Sequence, residues 1–136
     1  SGRQGPTGTG IVTAALCIGG YSPGVVTNVE SYDGTSWTET STDLNSARAQ
    51  LGSSGTSTLC LAYGGNGPSA LTESFNGTTW TEVGDLATAR YDGANAQAPG
   101  NTNTQALWIG GQTPTIVGTT EEWADPSYTI KTVTVS

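Results

Sequence analysis

The chain has 136 residues, enough for one modest domain, with 20 Gly, four Lys plus Arg against eleven Asp plus Glu, and no His or Met. A net charge of −7 leaves no basic face to track phosphates, which excludes nucleic acid as a partner and disfavours anionic membrane surfaces. Without His there is no Ser-His-Asp triad, no Cys-His pair and no His-based zinc or copper site, and no apolar run approaches the ~18 residues of a membrane span.

Leu and long charged residues are scarce, which argues against helix bundles. Thr, Val, Trp and Tyr set among glycines predict short strands joined by tight turns, hence an all-β fold. Regularly placed aromatics distinguish the chain from a disordered Gly/Ser/Thr tract. It begins at Ser1 with neither Met nor a signal sequence, the pattern of a fragment or a processed piece.

Taken in order, the elements repeat. The first unit (about 1–44) opens on "SGR" with Arg3 and continues into the glycine-rich "GPTGTGIV". The apolar strand "AALCIGG" follows, then the alternating "VVTNVESY", the turn Asp33-Gly34 and the strand "SWTETS". The second unit (about 45–86) runs "SAR" with Arg48, "LGSSGTS", "LCLAYGG", "ALTESF", Asn76-Gly77 and "TWTEVG". The third (about 87–136) runs "TAR" with Arg90, "YDGANAQA" and "ALWIGG", and ends in "EEWADPSYTIKTVTVS". Gly19-Gly20, Gly64-Gly65 and Gly110-Gly111 are therefore 45 and 46 residues apart. Four antiparallel strands every ~45 residues is the arithmetic of a propeller blade. The Asp-Gly and Asn-Gly turns are expected to be type I′, with positive φ at both central positions.

The order apolar strand–Gly-Gly, Glu-x-Tyr/Phe (Glu30-x-Tyr32, Glu73-x-Phe75), Asp/Asn-Gly, Trp37 or Trp80, then Ala-Arg resembles the kelch repeat. Its Thr- and Gly-rich style is similar to repeats in tail-fibre-like proteins of marine bacteriophages. The resemblance implies a kelch-like β-propeller segment of three four-stranded antiparallel blades, an incomplete ring in this chain. The third unit departs from the pattern, with Trp123 in the Tyr/Phe slot and Tyr128 in the Trp slot. Atypical terminal repeats often cap an array, so a genuine C-terminus is the expectation there. Three blades do not close a ring of the usual four to eight. The rest would come from sequence before "SGRQ", the favoured source, from a second chain, or not at all in an open array.

The repeated residues are expected to be scaffold. Trp37 and Trp80 should pack between blades rather than stack on sugars. The Gly-Gly pairs should allow close backbone approach that a Cβ would prevent. Every Arg (Arg3, Arg48, Arg90) occupies one repeat slot, and every unit supplies one Glu two residues before its aromatic (Glu30, Glu73, Glu121). The planar guanidinium fork should therefore join a carboxylate or backbone carbonyls between blades, the competing reading being a central anion site. Cys17 and Cys60 are expected as two free, buried thiols, turned to opposite sheet faces by their different offsets from Gly-Gly.

Catalytic parts are missing. Some propellers that resemble kelch proteins are copper oxidases, but their His ligands have no counterpart here. The carboxylates Asp33, Glu39, Asp43, Glu82, Asp85, Asp92 and Asp125 include material for a glycosidase pair, yet they read as turn and solvent-facing charge. Asp33-Gly34 lacks the dense carboxylate loop of a calcium site, so neither a cofactor nor a metal is expected. Variation between units is concentrated just after Gly-Gly, in "YSPG", "NGPS" and "QTPT". Tyr21, Ser22, Asn66, Ser69, Gln112 and Thr113 are thus the candidate ligand-binding residues, set against the plain alternative that loops vary because little constrains them. The expected function is a non-enzymatic adhesion or receptor-binding module on a virion or outside the cell. Its expected partners are a host-surface glycan or protein, other virion proteins and copies of itself. A structural self-assembling subunit and an intracellular kelch adaptor are the alternatives.

Overall fold

The computed structural model describes residues 2–96 and 102–125. The fold is all-β: among the described residues eleven strands form three antiparallel, blade-like sheets. Blade 1 contains β1 (Thr7–Ile11), β2 (Ala14–Ile18), β3 (Val29–Tyr32) and β4 (Trp37–Glu39) in sequential order. Blade 2 repeats this with β5 (Gly52–Gly55), β6 (Cys60–Tyr63), β7 (Thr72–Phe75) and β8 (Trp80–Val83). Blade 3 has β9 (Ala94–Ala96), β10 (Gln105–Ile109) and β11 (Thr120–Ala124). The fourth strand that the sequence leads one to expect around Tyr128 falls outside the described residues. The three blades do not form a closed ring.

Because side chains alternate across a strand, each blade has two faces that the register makes equivalent. Blade 2 is covered on both. From β6, Cys60 and Ala62 join Leu16, Ile18, Val29 and Leu44 of the preceding unit, together with Leu51, Phe75 and Trp80 of their own. The intervening Leu61 and Tyr63 join Ala106, Trp108 and Trp123 of blade 3. This explains the continuous apolar run "CLAY", all four residues of which are buried. We call the face toward the preceding unit leading and the other trailing. Trp80 on the leading face of blade 2 is 6% exposed, whereas Trp37, at the same position of blade 1, is 52% exposed.

Two sequence expectations are corrected. The Asp33 and Asn76 turns are not type I′, because only Gly34 (φ 94°) and Gly77 (φ 93°) have positive φ. Tyr32 pairs with Trp37 and Phe75 with Trp80, leaving four-residue loops. The side chain decides the geometry. Asp33 Oδ1 accepts from Thr35 N and Ser36 N, both at 2.8 Å, and Asn76 Oδ1 accepts from Thr78 N and Thr79 N, both at 2.9 Å. These are Asx turns. The cysteines, both free, are also not on opposite faces. They precede Gly-Gly by two and four residues, offsets of the same parity, so both lie on the leading face of their blade. Cys60 is covered by blade 1, and burial pushes its thiol pKa up to about 12. Cys17 is only half-buried.

Adjacent blades are tied by the repeated arginine. Arg48 lies on the connection from blade 1 to blade 2, where its carbonyl accepts from Gly20 N at 2.8 Å. Its guanidinium reaches into blade 2, donating to Glu73 Oε1 (2.9 Å), Leu71 O (2.6 Å) and Gly64 O (3.1 Å). Glu73 also accepts from Asn45 N at 2.8 Å and Ser46 N at 3.3 Å. Arg90 repeats the arrangement with Glu121 (3.3 Å), Thr119 O (2.9 Å) and Gly110 O (3.3 Å). Arg3 does so with Glu30, Asn28 O and Gly19 O. A Cβ on Gly19 would sit 2.4 Å from Arg48 O, and one on Gly64 would sit 2.7 Å from Arg90 O. The glycines are therefore required for this approach.

Arg48 and Glu73 are 2% and 1% exposed. Removing one partner of such a pair leaves the other charge uncompensated, a cost of about 3–5 kcal/mol. Arg48→Ala is expected to destabilise by that amount in denaturant unfolding. Arg48→Lys should fall between it and wild type, because an ammonium keeps the charge but loses the fork; unchanged midpoints in both variants would refute the pairing. At the turn, Asp33→Asn should be nearly neutral at pH 7, since Asn76 performs the same task. The hydrogen bonds from Ser36 and Thr35 hold the Asp33 carboxyl below its ordinary pKa. Its contribution is therefore complete above the ordinary Asp pKa and fades as pH falls through the folded value. Melting curves between neutral and acid pH should show that component vanish in Asp33→Asn.

Candidate ligand-binding site

The backbone after each arginine runs along the inner edge of the blades. Its second residue is left-handed in every unit: Gly5 (φ 61°), Gln50 (φ 55°) and Asp92 (φ 56°). These residues form a ladder across the blades, with Gln50 N donating to Gly5 O (2.7 Å) and Asp92 N to Gln50 O (3.0 Å). The preceding residues hold the loops that follow Gly-Gly. Gln4 and Tyr21 exchange backbone hydrogen bonds of 3.0 and 2.8 Å. Asn66 N donates to Ala49 O at 2.8 Å, and Tyr91 and Gln112 exchange bonds of 2.9 and 2.7 Å. Tyr21, Asn66 and Gln112 thus occupy equivalent positions, one per blade, on the end of the molecule where connections between blades also emerge.

Between them lies a cleft of about 400 Å³ lined by Gln4, Gly5, Tyr21, Ala49, Gln50, Asn66 and Asp92. One aromatic ring, three amide side chains and one carboxylate face it, and no basic side chain does. Tyr21 is half-exposed at its margin. Such a lining suits a neutral, hydroxyl-rich ligand: ring faces can stack on C–H surfaces, while amides both donate and accept.

Of the six residues expected from sequence, only Tyr21 and Asn66 line the cleft. Gln112 is held by Tyr91 beside it. Ser22, Ser69 and Thr113 are occupied within their own loops. Ser22 N donates to Gly24 O (2.7 Å), Ser69 Oγ accepts from Leu71 N (3.2 Å) and Thr113 Oγ1 donates to Thr115 O (3.2 Å). Sequence reasoning missed Gln4, Gln50 and Asp92. Their signal was positional, since each stands one or two residues after a repeated arginine, where polar type varies against a fixed frame. Asp92, grouped by sequence with the solvent-facing carboxylates, lines the cleft. Among the described residues no group of three or more Cys, Asp or Glu could hold a metal ion. No helix there is long and apolar enough to cross a membrane.

No protein-family model and no curated protein matches the chain. Among solved structures, that of YjhT matches 88% of this chain at 18% identity with a TM-score of 0.72. The match takes up 42% of YjhT, so this chain spans less than half of its length. At that identity the likeness concerns the fold alone.

The left-handed Gln50 is costly for a side chain with a Cβ and free for glycine, which stands at the same slot as Gly5. Gln50→Gly is expected to leave the melting temperature unchanged or raise it slightly. Gln50→Val, β-branched, should lower stability by about 1–2 kcal/mol. If chemical denaturation ranks Val at or above Gly, the ladder is not a constraint on the fold.

Proposed function

We propose that this chain is a segment of a kelch-repeat β-propeller that works as a non-enzymatic adhesion or receptor-binding module. In this reading it belongs with the Thr/Gly-rich tail-fibre-like proteins of marine bacteriophages and acts on a virion or outside the cell. Its ligand is a glycan or protein of the host surface. The observation that carries the reading is the cleft in which the non-repeating Tyr21 and Asn66 meet Gln4, Gln50 and Asp92. The repeated Arg, Glu and Gly-Gly residues are spent on joining blades, so the variable loops remain for recognition. Its one lining carboxylate, Asp92, falls short of the pair that glycoside hydrolysis uses, which favours binding over turnover.

A second reading, a structural subunit that assembles through its blades, is supported by the exposed Trp37 at a position buried in blade 2.

Glycan-array and whole-cell binding test the first reading. The double variant Tyr21→Ala/Asn66→Ala is expected to weaken binding at least tenfold, about 1.4 kcal/mol. Ser22→Ala and Thr113→Ala should bind like wild type. Undiminished binding by the double variant would remove the cleft from consideration.

A further inference from the structure

We propose that the leading face of blade 1 docks on the trailing face of blade 3 of a second copy of this chain, so that two copies close one six-bladed ring. The proposal gives the second reading its faces and rests on the propeller fold, not on the adhesion reading. Its evidence is the continuity of an interface that the chain already makes twice. Ala15, Cys17, Tyr32 and Trp37 occupy the positions that Cys60, Ala62, Phe75 and Trp80 fill beneath blade 1. In blade 3 the same positions hold Ala106, Trp108 and Trp123, which are buried beneath blade 2.

Among the described residues no blade covers this face, which is an open groove bounded by Gly8, Gly10, Val12, Ala15, Tyr32 and Trp37. The rings of Tyr32 and Trp37 lie 5.1 Å apart, as Phe75 and Trp80 do at 4.9 Å. The aromatic pair is therefore assembled as in blade 2 but left uncovered.

The opposite end of the molecule is its complement. The trailing faces of blades 1 and 2 present Leu16 and Ile18, then Leu61 and Tyr63, to the next blade. The corresponding residues of blade 3 are Leu107 and Ile109, and Ile109 is 41% exposed. Ala94 and Ala96 of β9 flank them in register.

The axial ladder is open in the same sense. Gly5 N–H and Asp92 C=O have no hydrogen-bond partner among the described residues, although each is the kind of group that joins Gln50 to its neighbours. A second copy supplies both at once, its Asp92 carbonyl to Gly5 and its Gly5 amide to Asp92. The two contacts are identical and form together, so each makes the other intramolecular. Six blades lie within the usual four to eight, and the matched segment is 42% of YjhT, a fold about twice as long as this chain.

Light scattering on this 136-residue chain should give twice the 13.8 kDa of one copy. Trp37→Glu on the leading face and Ile109→Glu on the trailing face should each give a single copy, with wild-type circular dichroism. Alkylation of Cys17 should be slow in wild type and faster in Ile109→Glu, whose substitution lies at the far end of the molecule. A wild-type chain that stays single at high micromolar concentration overturns the proposal. So does an Ile109→Glu variant that still pairs, which would mean a face-to-face contact, or an assembly that grows with concentration instead of stopping at two. A Cys17 rate equal in wild type and Ile109→Glu also counts against it. None of these measurements depends on a ligand.

Discussion

The buried arginine–glutamate pair that anchors each connection between blades to the blade it enters is the interaction on which the rest of this structure depends. A blade of four short strands buries too little apolar surface to hold its place alone, and its Gly- and Thr-rich inner strand contributes little packing. Arg48 compensates by joining three things: the connection leaving blade 1, the carbonyls at the edge of blade 2, and Glu73. Glu73 in turn closes the amides of Asn45 and Ser46. Burial pulls the Arg48 guanidinium pKa down, and the facing Glu73 charge opposes that pull. The result is a fixed angle and spacing between blades, set by directional hydrogen bonds as well as by contact of apolar side chains.

That constraint explains the glycines. Gly19 and Gly64 lie against the carbonyls of Arg48 and Arg90, with no room for a Cβ. It also explains the placement of the aromatics. Once the blades are held, Trp80 and Phe75 fill the wedge behind Leu16, Ile18 and Leu44, and Trp108 and Trp123 fill the next one behind Leu61, Tyr63 and Leu86. A substitution in the Arg or Glu slot therefore acts on a connection and on the blade it enters, whereas the loops after Gly-Gly meet the connections through backbone hydrogen bonds that leave the Tyr21 and Asn66 side chains outside the joint. This separation lets the end of the molecule that carries Tyr21 and Asn66 vary while the frame does not.

The cleft inherits its geometry from the same frame. Its walls are the residues directly after each arginine, carried inward by a left-handed residue and linked by the Gly5–Gln50–Asp92 ladder. The cleft and the faces between blades are thus linked through the backbone of the Gly5–Gln50–Asp92 ladder.

The sequence by itself determined the fold class, the three units and the strand order, because alternation, Gly-Gly pairs and turn residues are local signals that recur at a fixed spacing. It also marked arginine and glutamate as one recurring device, since a chain with three arginines placed all of them in one slot. It did not determine the turn type, because an Asp or Asn side chain closes a four-residue loop as readily as a backbone turn closes a two-residue one. Tertiary structure alone decided which half of each strand faces which neighbour, and so why Trp80 is buried and Trp37 is not. It alone brought Gln4, Gln50 and Asp92, about 45 residues apart in sequence, to one cleft. The physical reason is that burial and convergence depend on what lies across the interface, and the strand carrying a residue does not encode whether another blade is there to cover it.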